Sequence, residues 1–310
     1  MKKKIFIDGK AGTTGLRIEE RLSGRDDVEI IALPEELRKD TEARRKIINE
    51  ADVVFLCLPD AAAIEAVSLI ENDNVTVIDA STAHRTNPDW AYGFPELSQE
   101  FEEKIKNSKR IAVPGCHASG FIALVYPLVK SGMLSPDTLL SAHSLTGYSG
   151  GGKSMIADYN SEDRSPLLDA PRQYALGQVH KHLPEMKKIT GLNEAPIFSP
   201  IVADFYSGME VTVPIFKKQL NFGGIDEIKE LYKKCYNTDL IKFKDSADEG
   251  GFLSSGALSG KDSMQIEVYG NEDRIILVAR YDNLGKGASG AAVECLNIVL
   301  GCEKTKTLEV

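Results

Sequence analysis

Ile111-Ala112-Val113-Pro114-Gly115-Cys116-His117-Ala118-Ser119-Gly120 places one cysteine where an apolar run of strand length stops and an apolar helical run, residues 121–129, begins. At such a junction the unpaired backbone N–H groups and the positive end of the helix dipole favour thiolate over thiol. Pro114-Gly115 force a tight turn that presents the sulfur to a cleft. Cys116 is therefore the candidate nucleophile. The competing reading of a cysteine, a small buried hydrophobe, suits Cys57 within the apolar run 53–58 and Cys295 within an apolar C-terminal helix. The five cysteines, at 57, 116, 235, 295 and 302, are odd in number and form no Cys-x-x-Cys pair, which predicts reduced thiols and neither a disulfide framework nor a metal site.

A cysteine nucleophile needs a partner that moves protons near neutral pH, and histidine does so. The five histidines are scattered except in Gly177-Gln178-Val179-His180-Lys181-His182-Leu183-Pro184-Glu185. In extended backbone a His-x-His pair puts both rings on one face. No third metal ligand accompanies them, so proton transfer is the better reading. His84, just after Asp79-Ala80-Ser81-Thr82, and His143, within a β-like run, are weaker candidates. His117 is expected to point elsewhere, because adjacent side chains diverge.

Two glycine-rich loops bear on cofactors. Gly9-Lys10-Ala11-Gly12-Thr13-Thr14-Gly15 follows the first strand-like run and precedes a helix, where glycines at 9, 12 and 15 let a dinucleotide pyrophosphate approach the backbone. After the second strand, Pro34-Glu35-Glu36-Leu37-Arg38-Lys39 offers carboxylates for a ribose hydroxyl and cations for a 2′-phosphate, so local chemistry leaves NAD and NADP open. Gly147-Tyr148-Ser149-Gly150-Gly151-Gly152-Lys153-Ser154 matches the P-loop pattern in full and makes a nucleotide triphosphatase a competing reading. Against it, the following stretch meets Asn160, Ser161 and Pro166 before a long helix can form, and N–H groups in such a loop hold other phosphates equally well.

These residues must be positioned by the elements around them. In the first third of the chain, strand-length apolar runs at 4–8, 28–33, 53–58, 75–79 and 110–113 alternate with helical stretches near 16–22, 41–50, 61–70 and 98–106. Such alternation predicts a parallel sheet covered by helices on both faces, with function gathered at the carboxyl ends of the strands. With 310 residues, 42% hydrophobic and 27% charged, the chain has room for two domains. A net charge of −9 argues against a nucleic-acid or anionic-membrane surface. No apolar run approaches the roughly 18 residues that span a bilayer. The N-terminal Lys-Lys-Lys-Ile-Phe-Ile is broken by Asp8 and Lys10, too soon for a signal peptide, and a cytoplasmic location is expected.

Taken in order, Gly-Lys-Ala-Gly-Thr-Thr-Gly at 9–15, Asp-Ala-Ser-Thr-Ala-His-Arg at 79–85, Pro-Gly-Cys-His-Ala-Ser at 114–119, Gly-Tyr-Ser-Gly-Gly-Gly-Lys at 147–153, His-Lys-His-Leu-Pro-Glu at 180–185 and Asn-Leu-Gly-Lys-Gly-Ala-Ser-Gly at 283–290 resemble the shorter, type 2 form of the N-acetyl-gamma-glutamyl-phosphate reductases, within the semialdehyde dehydrogenase group. The resemblance implies NADPH-dependent reduction of N-acetylglutamyl 5-phosphate to the 5-semialdehyde, with phosphate release, in arginine biosynthesis. It implies an α/β fold: a Rossmann-like parallel-sheet domain of residues 1–116 plus 284–310, and an α+β substrate and dimerisation domain of residues 117–283 with a mainly antiparallel sheet. It further implies a homodimer or homotetramer. Cys116 would form a thioester, with His180 rather than His182 as acid/base. NADP would be held by Gly9, Gly12, Thr13, Thr14, Gly15, Ser81, Thr82, Gly150 and Asn283. Because the substrate carries a phosphate and a carboxylate, Arg172 and Lys153, ahead of Arg85, Arg164 and Lys181, are expected to grip it, with His182 nearby. The alternatives are another semialdehyde dehydrogenase, acting on aspartate or acetyl-aminoadipate semialdehyde, and a non-enzymatic NADP-binding redox sensor in which Cys116 is oxidised.

Overall fold

The continuous apolar runs near the N-terminus become strands buried on both faces, as their composition requires. In the computed structural model, which describes residues 2–310, the chain forms two compact units. One comprises residues up to Pro95, Gln99–Pro114 and Ala288–Leu308, and the other Glu96–Ser98, Gly115–Gly287 and Glu309–Val310.

The first unit runs β1 (Lys3–Asp8), α1 (Thr13–Leu22), β2 (Val28–Ile31), α2 (Thr41–Glu50), β3 (Val53–Leu56), α3 (Asp60–Ser68), β4 (Thr76–Asp79), β5 (Ala91–Tyr92), α4 (Gln99–Asn107) and β6 (Arg110–Ala112). Its six strands pair in the order β2-β1-β3-β4-β6-β5, every pair parallel. Successive strand residues feed two cores by the period of two. Ile5, Ile7, Phe55, Ile78 and Ile111 pack with Ile18 and Leu22 of α1. Phe6, Val54, Leu56 and Val77 pack with Ile47 and Ile48 of α2 and Ala63 and Ala66 of α3.

The second unit runs α5 (Cys116–Lys130), β7 (Ser141–Gly147), α6 (Gly152–Asn160), β8 (Arg172–Gln173), α7 (Leu183–Thr190), β9 (Ile197–Ala203), β10 (Met209–Phe216), α8 (Ile225–Cys235), β11 (Ile241–Phe243), β12 (Met264–Gly270) and β13 (Arg274–Tyr281). Its sheet, ordered β11-β12-β13-β10-β7-β9-β8, is antiparallel except for the pairs β11–β12 and β7–β9. The last helix, α9 (Gly290–Leu300), returns to the first unit, where Ala291, Ala292, Val293 and Leu296 join the core containing Ile5 and Phe55.

Two differences from the sequence reading matter for function. The helix expected at 121–129 begins at Cys116, so the thiol lies on its first turn and not before it. His117, Ser119 and Gly120 are poor helix formers, but all are buried. A Cβ on Gly120 would lie 2.7 Å from Val211 Cγ2, so glycine lets the helix seat directly on the sheet. Packing thus overrides propensity. The two-residue strands β5 and β8 were also missed, being too short to show a period. Among the described residues no helix is long and apolar enough to cross a membrane.

Candidate active site

Cys116 is half-buried at the first position of α5. The N-cap, Gly115, has extended backbone and provides no side-chain cap to the helix's leading N–H groups beside the sulfur. The Gly115 N–H itself donates to Glu185 Oε2 of α7 at 3.2 Å, and Ser119 Oγ donates back to the Gly115 carbonyl at 3.0 Å. The other cysteines have different surroundings. Desolvation, reinforced by Asp79 and Asp8, pushes the Cys57 thiol up to about 12, and burial also raises that of Cys235. Cys295 is fully buried.

His180 and His182 come together, their ring centroids 4.6 Å apart, but not through extended backbone. The segment turns: Gln178 N–H donates to Ala175 O at 3.0 Å, and both residues occupy the left-handed region at φ +54° and +52°. Such backbone is costly away from glycine. It is held by the Gln178 amide, which donates to Phe198 O and accepts from Phe198 N, both at 2.8 Å. A further bond, His182 N–H to His180 Nδ1 at 3.2 Å, closes the turn.

His117, set aside on sequence grounds, sits inside this cluster. Its ring centroid is 5.5 Å from those of both His180 and His182. Phe198 lies 5.3 Å from His117 and 5.2 Å from His180. His117 Nδ1 meets Ser144 Oγ at 2.6 Å and its Nε2 meets the Tyr174 hydroxyl at 2.6 Å. Burial, helped by repulsion from His180, pushes the His117 pKa down to about 3, so the ring is neutral at working pH. Burial and the nearby Cys116 charge raise the Tyr174 phenol. Tyr174, Ser144 and Glu185 had no assigned role in the sequence reading. Only Glu185 carried a signal, as the last residue of the His-Lys-His-Leu-Pro-Glu segment. His143 instead lies exposed on β7, in register with Thr212 and Ser199.

The candidate cations differ in what they have left to offer. Arg172 on β8 is half-buried, with its guanidinium carbon 5.6 Å above the Tyr159 ring and one terminal nitrogen donating to the Tyr159 hydroxyl at 3.3 Å. Its Nε is buried without a hydrogen-bond partner. Lys153 is exposed on α6, and Lys181 is exposed between the two histidines. Arg164 is committed to Asp169 at 2.5 Å and Asp204 at 2.7 Å. Arg85 belongs to the first unit, where it donates to Val113 O at 2.8 Å and Ala80 O at 3.0 Å.

Gly150 and Asn283, far apart in sequence, meet. A Cβ on Gly150 would lie 3.4 Å from Asn283 Nδ2, which donates to Ser149 Oγ at 3.0 Å, while Asn283 Oδ1 accepts from Gly208 N at 2.9 Å. The helix after this loop, α6, ends at Asn160, short for a triphosphate loop.

In the first unit the turn from β1 to α1 requires its glycines. Gly9 has φ +84°, and a Cβ there would lie 2.4 Å from the Cys57 carbonyl oxygen; on Gly15 it would lie 2.6 Å from Lys10 Cα. Gly12 caps α1 with no side chain, so Thr13 and Thr14 open a helix whose N–H groups face an uncluttered approach, which fits a pyrophosphate. At the end of β4, Ser81 N–H and Oγ donate to the two oxygens of Asp79, at 2.8 and 2.7 Å. Thr82 is held through both N–H and Oγ by Asp60. His84 binds Asp79 Oδ2 through Nδ1 at 2.6 Å and stacks on Trp90 at 4.0 Å, so the first unit fixes it in place.

Comparison with known proteins agrees with this architecture. Residues 13–107 match the semialdehyde dehydrogenase NAD binding domain, and residues 116–283 match the semialdehyde dehydrogenase dimerisation domain. The chain is 44% identical over 313 residues to N-acetyl-gamma-glutamyl-phosphate reductase 2 of Nostoc sp., covering 97% of each chain. It is also 44% identical over 310 residues to N-acetyl-gamma-glutamyl-phosphate reductase of Brucella suis, covering 97% of this chain and all of that one. Among solved structures, aspartate semialdehyde dehydrogenase II from Vibrio cholerae superposes with a TM-score of 0.73 at 16% identity, over 97% of this chain and 99% of that one. Aspartate semialdehyde dehydrogenase with NADP from Candida albicans gives 0.69 at 17%, with the same coverage. These two show the shared fold, and the closer sequence relatives show the branch: the chain belongs to the N-acetyl-gamma-glutamyl-phosphate reductase family of the semialdehyde dehydrogenases.

Proposed function

We propose that this chain catalyses the NADPH-dependent reduction of N-acetyl-L-glutamyl 5-phosphate to N-acetyl-L-glutamate 5-semialdehyde, releasing phosphate, as a step of arginine biosynthesis. The observation that carries the chemistry is Cys116 at the uncapped start of α5, in a unit that also gathers His117, His180, His182 and Tyr174. The Cys116 thiolate attacks the acyl carbon, the carbon–oxygen bond to phosphate breaks, and phosphate leaves a thioester on the sulfur. When bound, NADPH would be the source of the hydride that reduces the thioester. The resulting thiohemiacetal oxyanion is met by N–H groups of the first turn of α5 and takes a proton from His180. The hydroxyl proton then returns to His180 as the carbon–oxygen double bond re-forms and the carbon–sulfur bond breaks, which releases the aldehyde and leaves Cys116 as thiolate.

Arg172, with a buried donor to spare, is the first choice for the substrate's anionic ends, with Lys153 and His182 as further contacts. Arg85 donates to two carbonyl groups of the first unit, which ranks it behind Arg172 and Lys153 as a substrate contact. Gly9, Gly12, Thr13, Thr14 and Gly15 are assigned to the pyrophosphate, and Ser81, Thr82, Gly150 and Asn283 to the remainder of NADP. We also assign the open face of the seven-stranded sheet, through Ile276, Pro214 and His143, to contact with a second copy of the chain. That none of the five cysteines is in a disulfide supports a cytoplasmic setting.

The reverse reaction tests the reading. Purified protein should reduce NADP with N-acetylglutamate 5-semialdehyde only when phosphate or arsenate is added, and Cys116→Ser should be inactive. Turnover without phosphate, or full activity of the serine variant, would overturn it. Equal turnover of aspartate semialdehyde would reassign the acyl chain.

A further inference from the structure

Tyr281, the last residue of β13, is fully buried with its hydroxyl in the first turn of α5. The hydroxyl donates to the carbonyl oxygen of Cys116 at 2.5 Å and accepts from the N–H of Gly120 at 3.0 Å. In a regular helix those two backbone groups bond to each other, residue i+4 to residue i. Here a buried phenol bonds to both groups as well. The position is shaped for it. A Cβ on Gly120 would lie 2.7 Å from the hydroxyl, so only glycine leaves room. Past Tyr281 the chain folds back over the nucleophile, where a Cβ on Gly287 would lie 3.1 Å from Cys116 Cβ. Burial keeps the phenol protonated throughout the working range.

The carbonyl of Cys116 and the N–H of His117 belong to one planar peptide and point in opposite directions. Whatever holds the carbonyl therefore also aims the N–H. We propose that Tyr281 is a positioning residue for the reaction: by gripping the Cys116 carbonyl, it fixes the peptide plane whose other edge, the His117 N–H, faces the oxygen of the Cys116-bound acyl group. The role deepens the proposed function, since it presumes that Cys116 carries the acyl group.

Such a donor matters most when charge develops on that oxygen, so its misalignment lowers kcat more than it raises KM. In Tyr281→Phe the Cys116 carbonyl loses this second tie, and the peptide that carries the His117 N–H is free to rotate. The expected result is a kcat reduced by at least about tenfold, with KM for the semialdehyde and for NADP within about twofold. Alkylation of Cys116 by iodoacetamide, which forms no oxyanion, should stay within about twofold of the wild-type rate. Replacement of Tyr281 by p-aminophenylalanine, which keeps a donor for the carbonyl, should recover most of the lost kcat. A kcat within about twofold of wild type in Tyr281→Phe would overturn the proposal, as would a kcat deficit that p-aminophenylalanine leaves unchanged. If the phenylalanine variant does not fold, the p-aminophenylalanine enzyme decides alone: folded and inactive overturns the proposal, folded and active upholds it. Failure of the thioester reading is separate, because it shows as activity in Cys116→Ser with Tyr281 intact.

Discussion

A neutral imidazole carries one proton, so of the two hydroxyls that bracket His117, Ser144 and Tyr174, one must donate to it and the other accept. A second proton would put a charge into a buried site beside His180, which is why the folded pKa falls to about 3 while the unfolded chain keeps the ordinary value near 6.5. Above about pH 6.5 neither state is protonated and the contribution to stability is complete. Between there and about 3 only the unfolded chain takes the proton, so stability is lost as pH falls. This one residue should therefore cost about 2 kcal/mol between about pH 7 and about pH 5. Urea midpoints at the two pH values measure it: the drop should be smaller in His117→Gln, and an identical drop in both proteins would refute the assignment. Sequence made Cys116 legible because its signal is local, an apolar strand running through Pro-Gly into a helix. It hid His117, because divergence from Cys116 says nothing of which distant segment the ring will meet. Tyr174 and Ser144 were hidden for the same reason, since their roles exist only once β7 and the turn before α7 pack beside α5.

At the scale of elements, α5 contains a proline and yet is buried along most of its length. Pro127 has no N–H, so the carbonyl of Ala123, four residues earlier, loses its helical donor. Tyr236, just past α8, repairs the gap: its hydroxyl donates to Ala123 O at 2.7 Å, and the neighbouring Tyr232 hydroxyl donates to Leu124 O. The two helices are thus joined by hydrogen bonds as well as by apolar packing. Tyr236→Phe would leave a buried carbonyl unpaired and should destabilise the fold by about 1–3 kcal/mol in urea unfolding. In a Pro127→Ala background the new N–H can reach Ala123 O, so the same substitution should cost about half as much or less. Equal costs in both backgrounds would show that the tyrosine acts by packing alone. An apolar run with an internal proline reads in sequence as a helix of uncertain length. Its continuity to Lys130 depends on donors more than a hundred residues away, which no local pattern records.

At the scale of the molecule, the parallel sheet of the first unit was legible because each strand is an apolar run and each crossover a helical period. The second sheet was less so: β10 lies beside β13 although α8, β11 and β12 intervene, and its strands β8 and β11 have only two and three residues. Its alternation, however, leaves a testable face. Along β10, Val211, Val213 and Ile215 are buried while Pro214 and Phe216 are exposed. Ile276 of β13 sits in register with Pro214, and His143 of β7 with Thr212. Ile276 is 41% exposed in the single chain and stands in the middle of its strand, an apolar side chain where an antiparallel sheet facing water would carry a polar one. A second copy covering this face would remove it from water. A buried, unpaired carboxylate there would cost far more than the apolar contact it replaces, so the wild-type chain should sediment as an oligomer and Ile276→Asp as single chains. Ile64→Asp, at an equally apolar side chain that is 55% exposed on α3 of the first unit, should leave the assembly intact. An unchanged sedimentation coefficient for Ile276→Asp would move the subunit contact to another surface, while dissociation by both substitutions would mean that added charge, not this face, governs association.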